Sequence, residues 1–154
     1  MHGTRAFERL WRYGPLLLWL VFISFASTSE FSALNTSQVF RPLILWIFPG
    51  LSDARVATLH FLLRKLGHFS EYFVLGILAA RAFAGSFNEL LRRRWFEIAL
   101  LLIVCYALLD EFHQSFVPGR TASVYDSAID TFGGLMALLA FKYWKGRRRL
   151  AIET

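Results

Sequence analysis

Four long apolar stretches constrain this 154-residue chain more than any other feature of its sequence. They cover residues 10–29, 66–84, 95–113 and 124–144. A helix of about 20 residues crosses the ~30 Å hydrocarbon core of a bilayer, so each stretch is long enough to span one. Apolar residue types make up 56% of the chain, whereas a soluble domain reaches about 45–50% with glycine included. The sequence therefore predicts an all-α integral membrane bundle of four transmembrane helices, which forms a single domain over residues 1–154.

The connection between the first two stretches, residues 30–65, is long and partly apolar. Residues 40–50 are bracketed by prolines and too short to span, which predicts a short helix in the membrane interface with Trp46 as an anchor. Ser52 is a suitable N-cap for a second short helix that can continue into the second span. A basic segment precedes the first stretch, as in a signal peptide, but residues 27–31 lack a good A-x-A cleavage site and the apolar run is long. We therefore expect a retained first span.

The distribution of Lys and Arg predicts the orientation. Of the 17, three lie near the N-terminus, four in the connection between the second and third spans, and five in the C-terminal tail. The other five lie on the opposite side of the membrane in a four-span topology. Because cytoplasmic loops are enriched in Lys and Arg, we expect a multi-pass protein of the cytoplasmic membrane with both termini in the cytoplasm. The net charge of +6 does not indicate nucleic acid, since the basic residues flank apolar stretches and form no basic face.

Ionisable residues lie inside three of the stretches, in the half that faces outward in this topology. Such residues usually face the bundle interior or a water-filled cavity, because contact with lipid is unfavourable. The sequence therefore predicts a polar pocket on the extracytoplasmic side. The candidate catalytic residues are His68, His113, Asp110, Glu111, Asp126 and Asp130, and the candidate substrate-binding residues are Lys65, Glu71, Tyr72, Gln114 and Arg120.

Each residue type has a chemical reason to be in such a pocket. A histidine oriented by a carboxylate can act as a general base, and Arg120, after the turn at Pro118 and Gly119, can form a bidentate contact with a phosphate or carboxylate. The same histidines and carboxylates could instead hold a divalent metal, or form a network of ion pairs that ties helices together. Because H-E-x-x-H and C-x-x-C patterns are missing from the sequence, no metal or other cofactor is predicted. Cys105, among apolar neighbours, is predicted to be a buried packing residue.

Three strings in the sequence resemble motifs of the VanZ-like family of small integral membrane proteins. Residues 64–72, RKLGHFSEY, are similar to its R-K-x-x-H-F-x-E-Y motif, and residues 110–120, DEFHQSFVPGR, to its D-E-x-H-Q-x-F-x-P-G-R motif. Residues 126–134, DSAIDTFGG, resemble its D-x-x-x-D/N-x-x-G segment. The resemblance runs from about residue 10 to residue 145. Since the family's namesake is associated with resistance to the glycopeptide teicoplanin, the resemblance implies a role in the cell envelope and in antibiotic resistance.

Three functions are compatible with these observations. The first is an enzyme that hydrolyses or transfers a group on an anionic lipid or a lipid-linked precursor of the cell envelope. The second is a non-catalytic protein that binds such a headgroup and changes access to the envelope or to the antibiotic. An ion- or proton-coupled transporter is less favoured, because the inner halves at residues 74–80 and 135–141 lack ionisable side chains. The expected partners are the bilayer and the anionic lipid, and the sequence leaves the oligomeric state open.

Overall fold

A computed structural model describes residues 2–120 and 122–153, and within those ranges it is helical, with no strand. The all-α class predicted from the sequence is confirmed. The elements are α1 (His2–Ala26), a 3-10 turn (Ser29–Phe31), α2 (Ala33–Ile47), α3 (Asp53–Ala84), α4 (Glu89–Arg93), α5 (Trp95–Gln114) and α6 (Val124–Glu153).

The apolar stretches predicted as spans fall largely within the four long helices α1, α3, α5 and α6. In the part of the chain that the structure describes, one helical segment, Val124–Arg148, is long and apolar enough to cross a membrane by length and composition. The other long helices are less uniformly apolar: α5, for example, includes Glu97, Asp110 and Glu111. The four-span arrangement therefore stays a prediction.

The region between α1 and α3 differs from the sequence prediction in one boundary. The helix expected over residues 40–50 begins at Ala33, because the side chain of Ser32 accepts a hydrogen bond from the backbone N–H of Asn35 and caps the first turn. It ends at Ile47, two residues before Pro49. The helix expected after Ser52 begins at Asp53 and continues without a break to Ala84, so this prediction is confirmed.

The core lies where α3, α5 and α6 pack together, and small residues allow α3 and α6 to approach closely. A Cβ atom on Gly133 would collide with the backbone carbonyl of Phe69, and one on Gly134 would lie 2.6 Å from Cγ2 of Ile103. Apolar side chains such as Leu75 and Leu138 fill the space beside these glycines. The backbone of α6 is therefore in direct contact with α3.

Two hydrogen bonds to backbone carbonyls attach α1 to this core. The indole Nε1 of Trp19 donates a hydrogen bond to the carbonyl of Glu71 in α3 at 2.8 Å. The hydroxyl of Tyr106 in α5 donates to the carbonyl of Leu20 at 2.6 Å. These bonds position the C-terminal half of α1 beside α3 and α5.

Cys105 is exposed on α5, so the prediction that it is buried is wrong. It shares its helical face with Leu101 and Leu108, which are also exposed. Because this outward face is as apolar as the packed face, apolar neighbours in the sequence do not distinguish one from the other.

The α3–α6 contact predicts opposite effects for two glycine substitutions. Gly133→Ala should lower the free energy of unfolding by about 1–3 kcal/mol, since the methyl group forces two backbones apart. Gly67→Ala is the matched control: a Cβ there meets no atom within 4 Å, and alanine favours the helix by about 1 kcal/mol over glycine. Unfolding of both variants in mixed detergent micelles would check this, and equal stabilities would contradict the close crossing.

Candidate functional site

Two charge pairs join α3 to α6. Lys65 Nζ donates a hydrogen bond to Oδ1 of Asp126. His68 Nδ1 lies 3.3 Å from Oδ1 of Asp130, in an electrostatic contact that is not aligned as a hydrogen bond. Because the pairs follow in the same order along both helices, α3 and α6 run parallel here, as the sequence-based topology requires.

The second pair belongs to a buried cluster between three helices. One ligand-type atom each from His68 of α3, Glu111 of α5 and Asp130 of α6 lies within 4.8 Å of the other two. Asp130 is fully buried, and neither of its carboxylate oxygens has a hydrogen-bond partner among the described residues. Oε1 of Glu111 and the hydroxyl of Tyr72 are also buried without a partner in that part of the chain. A buried polar atom destabilises the folded protein unless it has a hydrogen-bond or ionic partner.

The other oxygen of Glu111 is held by the start of α6. Its Oε2 accepts a hydrogen bond of 2.6 Å from the backbone N–H of Ser123, the residue before that helix. This bond fixes the carboxylate between α5 and α6 and leaves Oε1 free for the cluster.

Asp110 belongs to a different and fully paired network. The hydroxyl of Ser27 donates to its Oδ1, and Nε2 of Gln114 donates to its Oδ2 at 3.0 Å. All three side chains are buried. The network therefore ties the C-terminal end of α1 to α5 and gives each oxygen of Asp110 a partner.

His113 is not part of the His68 cluster, but it lines a cavity together with Asp110. Its side chain is exposed and borders a cavity of about 530 Å³, which Ser24, Tyr106 and Phe116 also line. The structure therefore does not bring His113 together with His68.

Three adjacent cavities border the cluster and the α2–α3 hairpin. The first, of about 170 Å³, is lined by the polar residues Arg64, His68, Glu71, Gln114, Arg120, Ser27 and Thr36 together with apolar residues. The second, of about 280 Å³, shares Arg64 and His68 with the first and adds Lys65, Ser123 and Asp126. The third, of about 300 Å³, has only apolar lining and shares Phe40 and Leu63 with the first.

The two arginines in the first cavity have no carboxylate partner among the described residues. The guanidinium of Arg120 donates to the carbonyls of Ala26 and Thr28, the latter at 3.1 and 3.2 Å. Burial lowers the pKa of Arg120 from its ordinary value, and the charge of Arg64 lowers it further. Gly119, with φ at +78°, forms the turn that brings Arg120 to this position.

The predicted site residues therefore fall into groups. Lys65, His68, Glu111, Asp126 and Asp130 lie close together, whereas Glu71, Gln114 and Arg120 line the first cavity beside His68. Ser27 and Ser123 take part in these contacts, and a lone serine in the sequence carries no signal for either role. Arg64 adjoins Lys65 in the sequence and lines the first and second cavities, the second of them together with the Lys65–Asp126 pair.

The molecule is thus an all-α bundle with a charged cluster buried between three helices. The chain belongs to the VanZ/LLP1 family, whose model matches residues 10–145. This match confirms the resemblance seen in the three strings. Neither a curated protein nor a solved structure matches the chain.

The Lys65–Asp126 pair predicts a specific mutational cycle. Lys65→Met should lower the free energy of unfolding by about 3 kcal/mol, because it leaves a buried carboxylate unpaired. The double variant Lys65→Met/Asp126→Asn should recover much of that loss. Arg41→Met serves as the control, since its partner Asp53 is 86% exposed and exposed pairs contribute about 0–1 kcal/mol. If the separate effects of Lys65→Met and Asp126→Asn add up to the effect of the double variant, the pair is not coupled.

Proposed function

We propose that this chain is a multi-pass VanZ-like protein of the cytoplasmic membrane that binds the anionic headgroup of a lipid or lipid-linked envelope precursor on the extracytoplasmic side. The observation that carries the proposal is the first cavity, where Arg64 and Arg120 line one space in which Glu71 is the one acidic side chain among the described residues, beside an apolar groove. The link to glycopeptide resistance comes from the family and is part of the same proposal.

The exposed surface supports a membrane location. Large apolar side chains cover the outward faces of the long helices, among them Leu18 and Val21 on α1 and Leu101 and Leu108 on α5. Soluble proteins rarely expose contiguous apolar surface on this scale. The basic residues flank these surfaces, which supports four spans with both termini in the cytoplasm.

The electrostatics of the first cavity favour an anion. Two guanidinium groups near each other repel: burial lowers the pKa of Arg120 most and the charge of Arg64 lowers it further, against the opposite effect of Asp110, Glu71 and Glu111. A phosphate or carboxylate group between them would remove the repulsion and accept charge-assisted hydrogen bonds, which are about twice as strong as neutral ones. Arg64 makes no side-chain hydrogen bond with the described residues, so it is available for this contact.

The neighbouring groove favours a lipid over free phosphate. Its lining is apolar, and it opens beside the first cavity at Phe40 and Leu63. A molecule with an anionic head at Arg64 and Arg120 could place part of its hydrocarbon chain between α2 and α3. Each buried methylene would contribute about 0.8 kcal/mol to binding.

The same site supports either catalysis or binding alone. His68 borders two cavities and has Oδ1 of Asp130 at 3.3 Å from its Nδ1, near enough for a small rotation to make the carboxylate orient a general base. In the enzymatic case His68 would activate water or a hydroxyl group for attack on the headgroup. In the alternative case the headgroup is only bound, and access to the envelope changes. Product formation from envelope lipids distinguishes the two.

The topology predicts which sites are accessible from outside the cell. In a Cys105→Ala background, Ser29→Cys should react with a membrane-impermeant maleimide in intact cells, whereas Glu89→Cys should react only after lysis. Both positions are exposed, so neither is protected by packing. Equal labelling of both in intact cells would contradict the proposed orientation.

The anion site predicts a lipid selectivity that depends on Arg64. Purified protein should bind phosphatidylglycerol in preference to phosphatidylcholine, as measured by native mass spectrometry. Arg64→Gln should weaken phosphatidylglycerol binding about tenfold, since a hydrogen bond to a charged group contributes about 1.5–3 kcal/mol. Arg55→Gln is the matched control, because Arg55 is an exposed arginine of the same helix. Unchanged binding by the Arg64 variant would overturn the proposal.

A further inference from the structure

We infer that His68, Glu111 and Asp130 form a binding site for one divalent transition-metal cation. The inference goes beyond headgroup binding and does not require it. Each residue comes from a different helix, so the cation would link α3, α5 and α6 at one point.

The donor atoms are near the separation that one ion requires. Zinc binds histidine nitrogen and carboxylate oxygen at about 2.0–2.2 Å, so two donors on one ion lie at most about 4.4 Å apart. The three atoms here lie within 4.8 Å of one another. Small side-chain rotations would bring them onto a common cation without moving the helices.

The unpaired atoms of the cluster provide an independent indication of a ligand. Asp130 is 0% exposed, and both its oxygens lack a hydrogen-bond partner among the described residues. Oε1 of Glu111 and Nδ1 of His68 also lack a hydrogen-bond partner among the described residues. Two buried carboxylates without compensation are strongly unfavourable, and a divalent cation would satisfy all three residues together.

Two basic side chains near the cluster, Lys65 and Arg120, are already engaged. Lys65 is bonded to Asp126, and Arg120 is bonded to the carbonyls of Ala26 and Thr28. Neither is therefore free to neutralise Asp130 or Glu111. A bound cation or a proton can supply the compensating charge, and these are the two outcomes that an experiment can separate.

The donor set indicates the type of metal. Imidazole suits zinc, iron, nickel or copper, whereas calcium and magnesium prefer oxygen ligands alone. Three protein ligands leave a coordination position open, as in catalytic zinc sites. Because His68 also lines the first and second cavities, the open position would face the proposed headgroup site.

Metal binding can be measured on the full chain in detergent, after removal of any affinity tag and treatment with a chelator. Zn²⁺ alone and Mn²⁺ alone are titrated by calorimetry, and the bound metal is counted by mass spectrometry. We expect about one ion per chain, and at least tenfold weaker binding in Asp130→Asn and in Glu111→Gln. Asp53→Asn, which changes an exposed carboxylate of α3, should bind as the unchanged protein does.

The thermal unfolding midpoint gives a second readout. Zn²⁺ should raise the midpoint of the unchanged protein and leave that of Glu111→Gln unaffected, so the test holds even if Asp130→Asn fails to fold. Arg64→Gln should retain the metal while it loses the lipid, which separates the two proposals. The inference is overturned if the unchanged protein binds neither ion, as expected for a shared proton, or if both carboxylate variants bind normally.

Discussion

The close parallel crossing of α3 and α6 is the contact on which the rest of the structure depends. Gly133 allows the α6 backbone to meet the carbonyl of Phe69, and at that distance short aspartate side chains can reach α3. Asp126 pairs with Lys65, and Asp130 comes within 3.3 Å of His68. A larger residue in place of Gly133 would separate the helices, and both carboxylates would be buried without these partners.

Helical periodicity explains how much of this could be predicted from the sequence. Spacings of three and four place Lys65 and His68 on one face of α3, and Asp126 and Asp130 on one face of α6. The parallel direction followed from the topology, so the facing of these pairs was predictable. The start of α2 could not be predicted, because it depends on whether Ser32 or a later residue caps the helix. The exposure of Cys105 could not be predicted either, because both faces of α5 are apolar.

The division of the DEFHQ string could not be predicted from spacing either. Asp110 and Glu111 are adjacent in the sequence, but neighbouring residues of a helix point about 100° apart. Since α5 lies between α1 and α6, Asp110 reaches Ser27 and Glu111 reaches the α6 side. His113, three residues after Asp110, faces outward. Which helix flanks which face is a tertiary property, so one motif serves two separate polar groups.

The bonds of Arg120 connect the cavity to the first helix. Its guanidinium donates to the carbonyl of Ala26, one of the acceptors that the end of a helix leaves unsatisfied, and to that of Thr28 just beyond the helix. An anion that draws Arg120 into the cavity must compete with those carbonyls. Occupancy of the cavity and attachment of α1 to the bundle are therefore thermodynamically linked, and a change in either one alters the other.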